Sequence, residues 1–339
     1  MQIVINRRTR TTKAALTAIL AILIIGSTVI GRYSIGIKEV FGILISQVTG
    51  IESYWTSSQE SIFWLTRLPR IIMACLIGAA LSHAGAVFQG VFQNPMAAPD
   101  ILGASSGAAF GASLAMLLNL PKVYIISFSF ISGLLCVFLV MFFGHKSKGK
   151  RVVGLVLSGI MVSSLFSSGT SFVKLVADPQ DQLPNITYWL MGSVNKADYR
   201  GILFLVIPLI IGTVPMFLLR WRLNILSLGE EEARTLGVNT KRLRTVLILS
   251  ATLVTAACVS VSGVIGWVGL VIPHLARKMI GNDYRHLLPA SGLLGAAFLL
   301  LVDDVSRTVS TTEIPIGILT AFIGAPFFIY LLTKDGERL

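Results

Sequence analysis

The chain has 339 residues, 54% of them hydrophobic and 13% charged, with a formal net charge of +12 and a mean hydropathy of +0.79. A soluble chain carries about 25% charge, so a soluble enzyme, a disordered regulator and a disulfide-stapled secreted domain are excluded, and an all-α polytopic membrane protein is expected. The positive charge is not a nucleic-acid patch, because the basic residues stand at the ends of apolar runs. The bilayer, and no nucleic acid, is the expected surrounding.

A helix needs roughly 17 to 25 apolar residues to span the hydrocarbon core. In chain order the candidates are Ala14–Ile30, Ile71–Val91, Ile101–Leu120, Val123–Phe143, Val152–Val173 and Ile202–Leu219, then Leu287–Val302 and Ile314–Leu332. The first is longer than a signal-peptide core and has no small-x-small cleavage site before Arg32, so it is read as retained. Between the sixth and the last two, Val246–Ala276 would make a helix of about 46 Å, too long for one crossing. Gly263, Gly266 and Gly269, followed by Pro273, place a break near Gly263 and divide it in two. The expectation is ten transmembrane helices in one domain over residues 1–339. With the N-terminus inside, nineteen of the 28 Lys and Arg fall in inner segments, including Arg7, Arg8, Lys148, Lys150 and Arg338, so both termini are expected in the cytoplasm.

Several segments invite a chemical reading. The stretch from Gly144 to Arg151 has the glycine and lysine spacing of a phosphate-binding loop. It lacks the Ser or Thr after Lys150 and the strand-to-helix setting, so it reads as an orienting basic loop. The outer insertions are Gly50–Glu60 and Ala177–Arg200, and the inner one is Arg220–Arg244. In the inner one, Ser227 is placed to cap a short helix whose first turn carries Glu230, Glu231 and Glu232, Gly237 to end it, and Asn239 or Thr240 to start the next. This is either a solvated loop or a partner-docking knob. Arg67 and Arg70, three apart, and Arg307 sit at outer ends, where they either contact lipid phosphate or wait for an acidic partner. Cys75, Cys136 and Cys258 lie in apolar runs without CxxC spacing, and the four histidines are dispersed, so no metal set and no catalytic residue is expected. No carboxylate stands at a span midplane, where an ion-driven carrier usually has one.

These residues resemble one family closely. Arg67-Leu-Pro-Arg70, Gly78-Ala-Ala-Leu81, Gly85, Gln89, Asn94-Pro-Met-Ala97, Pro99 and Leu102-Gly103 are similar to the first block of the iron-siderophore and cobalamin ABC permeases. A second block runs from Gly263-Val-Ile-Gly266 through Pro273-His274, Arg277, Asp283-Tyr-Arg285, Leu288-Pro289, Arg307 and Glu313-Ile-Pro-Ile-Gly317 to Gly324-Ala-Pro326. The resemblance implies the membrane permease of a binding-protein-dependent importer, multi-pass in the cytoplasmic (inner) membrane and itself not an enzyme. It implies a second permease subunit, a homodimer being expected, two ATP-binding subunits and an extracytoplasmic binding protein. No cofactor is expected in this chain, ATP and magnesium belonging to the partner ATPase.

By resemblance, coupling to the ATPase falls to Ser227, Leu228, Gly229, Glu231, Ala233, Leu236, Gly237 and Arg242, within coupling helices over about 227–243. Docking of the binding protein falls to Arg67, Arg70 and Arg307. The translocation path is assigned to Val162, Leu165, Phe166 and Gly169 of the fifth span and to Trp189 and Leu190 after it. The cargo implied is a metal chelate such as a ferric siderophore, haem or cobalamin, with an oxyanion such as molybdate as the alternative. A carrier driven by an ion gradient and acting alone is the rival class. Trp267 stands where the family usually has phenylalanine, and His83 where a small or apolar residue is common.

Overall fold

The structure, a computed structural model, describes residues 2–49, 53–146 and 151–335. Lys148, Lys150 and Arg338, three of the cations that argue for orientation, and Gly50, which opens an outer insertion, lie outside them. Among the described residues every regular element is helical.

The first helix, α1 (Gln2–Val29), is followed by two short ones, α2 (Ile37–Thr49) and α3 (Ser57–Ile62). A full capping box starts α3, with Thr56 and Gln59 each bonding the other's backbone. It runs without a break through a π-turn, Phe63–Arg67, into α4 (Leu68–Val91), so Pro69, which has no N–H to give the preceding turn, stands where the helix is already widened. A 3₁₀ turn, Pro99–Leu102, ends at Gly103, whose φ of 74° only glycine adopts readily, and α5 (Ala104–Leu117) begins there. Then follow α6 (Lys122–Lys146), α7 (Arg151–Val176), α8 (Gln182–Leu190) and α9 (Tyr199–Leu218). Two short helices, α10 (Arg220–Leu226) and α11 (Glu230–Thr235), lead to α12 (Thr240–Ser262). Last come α13 (Val268–Ile280), α14 (Tyr284–Thr308) and α15 (Ile316–Asp335).

Among the described residues seven stretches are long and apolar enough to cross a membrane: Thr9–Val29, Ser57–Val91, Lys122–Lys146, Val152–Val176, Tyr199–Leu218, Thr240–Ser262 and Tyr284–Thr308. Two of the ten spans expected from sequence fall short of that length. Ile101–Leu120 is reduced to the fourteen residues of α5 by the turn at Pro99 and Gly103, and the second half of Val246–Ala276 is the thirteen-residue α13. Ile314–Leu332 falls almost wholly within the twenty-residue α15, of which Ile316–Tyr330 is an apolar stretch. The break itself lies where the glycines place it, with α12 ending at Ser262 and Gly263 taking a φ of 70°.

The core is organised around α4, which packs against α14, α12, α13 and α9, while α5 is sandwiched by α6 and α7, and α1 lies along α14. The closest approaches are made by glycine. A Cβ on Gly78 would overlap the carbonyl oxygen of Gly295 on α14, and one on Gly85 would overlap that of Gly269 on α13. Without a hydrophobic drive between helices in lipid, such backbone-to-backbone contact supplies the dispersion energy that holds spans together. His83 lies on this seam, buried edge-on against Phe217 and beside Gly292.

Candidate functional site

Three regions bear on function. The first is the projection formed by α10 and α11. Leu223 and Leu226 are fully buried and root α10 in the body. Asn224 ties it to the start of α14: its amide donates to Asp283 Oδ1 at 2.7 Å, and its oxygen accepts from the Tyr284 N–H at 2.8 Å. Burial alone would raise the Asp283 carboxyl, but hydrogen bonds from Arg285 and Asn224 outweigh it and hold the group well below the usual carboxylate range. The expected capping role of Ser227 is corrected. Ser227 closes α10, its hydroxyl donating to the Asn224 carbonyl at 2.7 Å, and Gly229 begins α11. The sequence reading treated Arg220–Leu226 as loop, so it began the first helix one element late.

The end of α11 is as read. Gly237 has a φ of 78°, its N–H donates to the Arg234 carbonyl, and the Val238 N–H donates to the Ala233 carbonyl, the paired bonds of a Schellman stop. Asn239 then caps α12, its side chain accepting from the Arg242 N–H at 3.0 Å. Glu230 pairs with Arg234 and, at 3.2 Å, with Arg244, tying α11 to α12. Of the expected coupling residues, Leu228 and Leu236 stand out as the exposed apolar pair, 68% and 61% accessible, ringed by exposed Ser227, Glu231, Gly237 and Arg242. Gly229 is partly covered. Ala233 is fully buried under the helix, so its side chain offers nothing to a partner.

The second region is the end of the α4–α14 seam where α4 begins and α14 ends. Arg67, Arg70 and Arg307 were read as outward-facing charges, and the structure corrects this: all three are buried and engaged within the chain. Arg70 Nη1 reaches both oxygens of Glu313 at 3.0 Å, and its Nε reaches Asp303. Arg307 pairs with Asp304, whose Oδ1 also accepts from the Ser27 hydroxyl at 2.7 Å. Arg67 donates to the Thr28, Val29 and Tyr33 carbonyls at the end of α1. The antiparallel packing of α4 on α14 brings Arg70 to Asp303, a proximity invisible in a sequence where the two stand 233 positions apart.

The third region is the face of α7. Val162 and Phe166 turn into the core, Phe166 meeting Phe110 of α5 with ring centroids 5.7 Å apart, and Gly169 lies flat against the same Phe110 ring. Of the four α7 residues named for the path, only Leu165 is on the open face, which also carries Met161, Ser164, Ser168 and Phe172. The choice by position missed this because each residue turns the helix by about 100°. Beyond α7, Trp189 borders a cavity of about 480 Å³ with Asn185, Tyr188 and Asn195. Leu190 borders a separate, shallower groove of about 620 Å³ that Trp267 and Phe322 also line. Trp267 has a φ of 69°, starts α13 and lies against Gly324 and Phe328 of α15. Among the described residues no three His, Cys, Asp or Glu side chains group as a metal site.

The sequence model of the FecCD transport family matches residues 19–334. The molybdate import system permease protein MolB of Haemophilus influenzae is 40% identical over 324 residues, covering 95% of this chain and 96% of that protein. A probable iron chelatin transport system permease protein of Helicobacter pylori is 41% identical over 278 residues, 82% of this chain and 84% of that one. Among solved structures, an inward-facing conformation of a putative metal-chelate type ABC transporter superposes with a TM-score of 0.86 at 38% identity, covering 96% of this chain and 99% of that chain. With the family pattern running through nearly every helix just described, this chain belongs to the FecCD transport family.

Proposed function

We propose that the chain is the permease subunit of a binding-protein-dependent ABC importer whose cargo is a metal chelate such as a ferric siderophore, haem or cobalamin. In this reading α5, α13 and α15 complete the seven long spans to ten crossings, both termini are cytoplasmic, and two copies form a homodimer above two ATP-binding subunits. The chain holds no cofactor and performs no hydrolysis, since ATP and magnesium belong to the partner. The observation that carries the reading is the projection: two short helices, rooted by buried leucines, tied to α14 through Asn224 and closed by the turn at Gly237, present Leu228 and Leu236 on their exposed surface. A rigid, partly apolar knob suits the transmission of force from a neighbouring subunit.

Opening would run along the dimer axis, with the open face of α7 and the α8 segment as its lining. Docking of the binding protein at the outer mouth is assigned to the ends of α1, α4 and α14. There Arg67, Arg70 and Arg307 act by holding those ends together, because their guanidinium groups are already engaged. The MolB relative, similar over 95% of this chain, favours an oxyanion as a second reading of the cargo. A self-sufficient ion-driven carrier is disfavoured by Asp303 and Asp304, which lie in ion pairs at an outer end and not at the midplane.

The test is uptake into proteoliposomes holding the permease with its ATPase and binding protein, screening ferric siderophores, haem, cobalamin and molybdate with and without ATP. ATP-dependent uptake of one cargo that is lost in the Leu228→Asp, Leu236→Asp variant supports the importer and identifies the cargo. Uptake without ATP or the binding protein overturns it.

A further inference from the structure

Helix α2 has thirteen residues, about 20 Å of helix, too short for a hydrocarbon core of about 30 Å. Its surface divides into three strips. Val40 and Ile43 are buried against Ile35, Trp55 and Phe63. Glu39 and Ser46 form a polar strip, and Lys38 borders the third strip, one heptad before Ile45. Ile37, Phe41, Leu44 and Ile45, at the spacing of one helical face, are each between 41% and 51% exposed. At about 100° per residue this apolar strip lies across the helix from Ser46 and Glu39, so α2 is wet on one side and bare hydrocarbon on the other.

We propose that α2 lies in the plane of the membrane, with Ile37, Phe41, Leu44 and Ile45 sunk at the boundary between lipid headgroups and acyl chains and Lys38 at phosphate level. Lipid is the occupant because the strip continues a surface that already faces lipid: Ile19, Ile22 and Ile25 on the exposed side of the spanning helix α1 lead through Ile30 to Ile37. The strip also carries no hydrogen-bonding group with which a protein partner would fix its register. Tyr33 and Tyr54, both exposed beside it, are of the type that gathers at the headgroup level. Because Phe63 in the same small cluster opens the π-turn leading to Arg67, the anchored helix sets the depth of the outer end of α4. Which leaflet holds α2 rests on the topology proposed above; contact with lipid does not.

The test uses spin labels on Phe41→Cys, Ile45→Cys, Glu39→Cys and Ser46→Cys in the assembled transporter in liposomes, with the wild-type chain as the control for labelling of its own cysteines. Saturation is compared with oxygen, which concentrates in lipid, and with a nickel chelate, which stays in water. Labels at 41 and 45 should favour oxygen, and those at 39 and 46 should favour nickel, by about threefold or more in each direction. Equal nickel access at all four sites, or shielding of 41 and 45 from both reagents, overturns the proposal, the latter by showing a protein cover. Ile45→Cys carries the test alone if the Phe41 variant does not assemble. Oxygen preference at 41 and 45 in a preparation that shows no ATP-driven uptake would leave the lipid anchor standing and remove only the importer reading.

Discussion

Arg70 on α4 holds Asp303 on α14 side-on, its Nε lying 2.9 Å from Oδ1 and 3.0 Å from Oδ2, with both side chains almost wholly withdrawn from solvent. A buried pair of this kind stabilises little over a well-packed apolar substitute, yet leaving one member alone is expensive. Arg70→Ala should therefore cost about 3–5 kcal/mol, and Arg70→Met combined with Asp303→Leu should recover most of it. Thermal unfolding of the detergent-solubilised protein, followed by tryptophan fluorescence, reads both. A single variant within about 1 kcal/mol of wild type would place the pair in the class of solvent-screened bridges and refute its burial.

At the other end of the molecule, Gly237 closes α11 with a left-handed backbone, although nothing lies within 4 Å of where its Cβ would be. The penalty for Gly237→Val is therefore conformational and not steric, about 1–2 kcal/mol. The chain should still reach the membrane and still superpose. If the projection couples the permease to its ATPase, cargo moved per ATP hydrolysed should fall by up to about tenfold, the equivalent of about 1.4 kcal/mol. Unchanged stoichiometry in proteoliposomes would show that the shape of this turn is immaterial to coupling.

Gly85→Ala and Gly26→Ala should separate the two kinds of glycine in this chain. The first adds a methyl group where the Gly269 carbonyl already stands, and overpacking of that sort costs typically 1–3 kcal/mol or about that order more against rigid backbone. The second adds one in open space on the interior of α1 and should stabilise by about 0.5–1 kcal/mol. Melting temperatures of the two variants should move in opposite directions. A melting temperature of Gly85→Ala that is unchanged or raised would contradict the contact between α4 and α13.

Asp283 gives a pH dependence of known sign. Its carboxyl titrates below its ordinary value in the folded chain, near 3.9 when unfolded, so its contribution is complete above about pH 4 and is lost as pH falls toward the lowered folded value. Between pH 5 and pH 3 the wild-type melting temperature should fall more steeply than that of Asp283→Asn, which keeps a capping oxygen but has no proton to gain. Parallel slopes would show that the cap does not need the charge.

What could be read from sequence and what could not divide along the distance over which each feature is encoded. The break after Ser262, the Schellman stop at Gly237 and the cap at Asn239 are local, set by residues within one turn, and they appear where the glycines and the asparagine put them. The burial of Arg67, Arg70 and Arg307 depends on α1 and α14 arriving beside α4, and a charge at a span boundary reads as exposed until its partner is known. Of the path residues, Val162, Phe166 and Gly169 lie on the packed side of α7 because the helix is apolar on every side, leaving no hydrophobic stripe to say which side faces in. Helices α2 and α10 escaped notice for a simpler reason: thirteen and seven residues are too few to register as spans.

The glycine contacts along α4 bear on how the molecule moves. Where Gly78 meets the Gly295 carbonyl and Gly85 that of Gly269, main chain rests on main chain, with no side chain between to change rotamer and absorb a displacement. A slide of even an ångström would drive one backbone into another, so α4, α13 and α14 behave as a single strut. Any change of access must then bend elsewhere, and the loop after α8 is held in the same way, since a Cβ on Gly192 would overlap the Val264 carbonyl and one on Gly317 that of Met191. The strut carries the load, and the open face of α7, free of such contacts, supplies the joint.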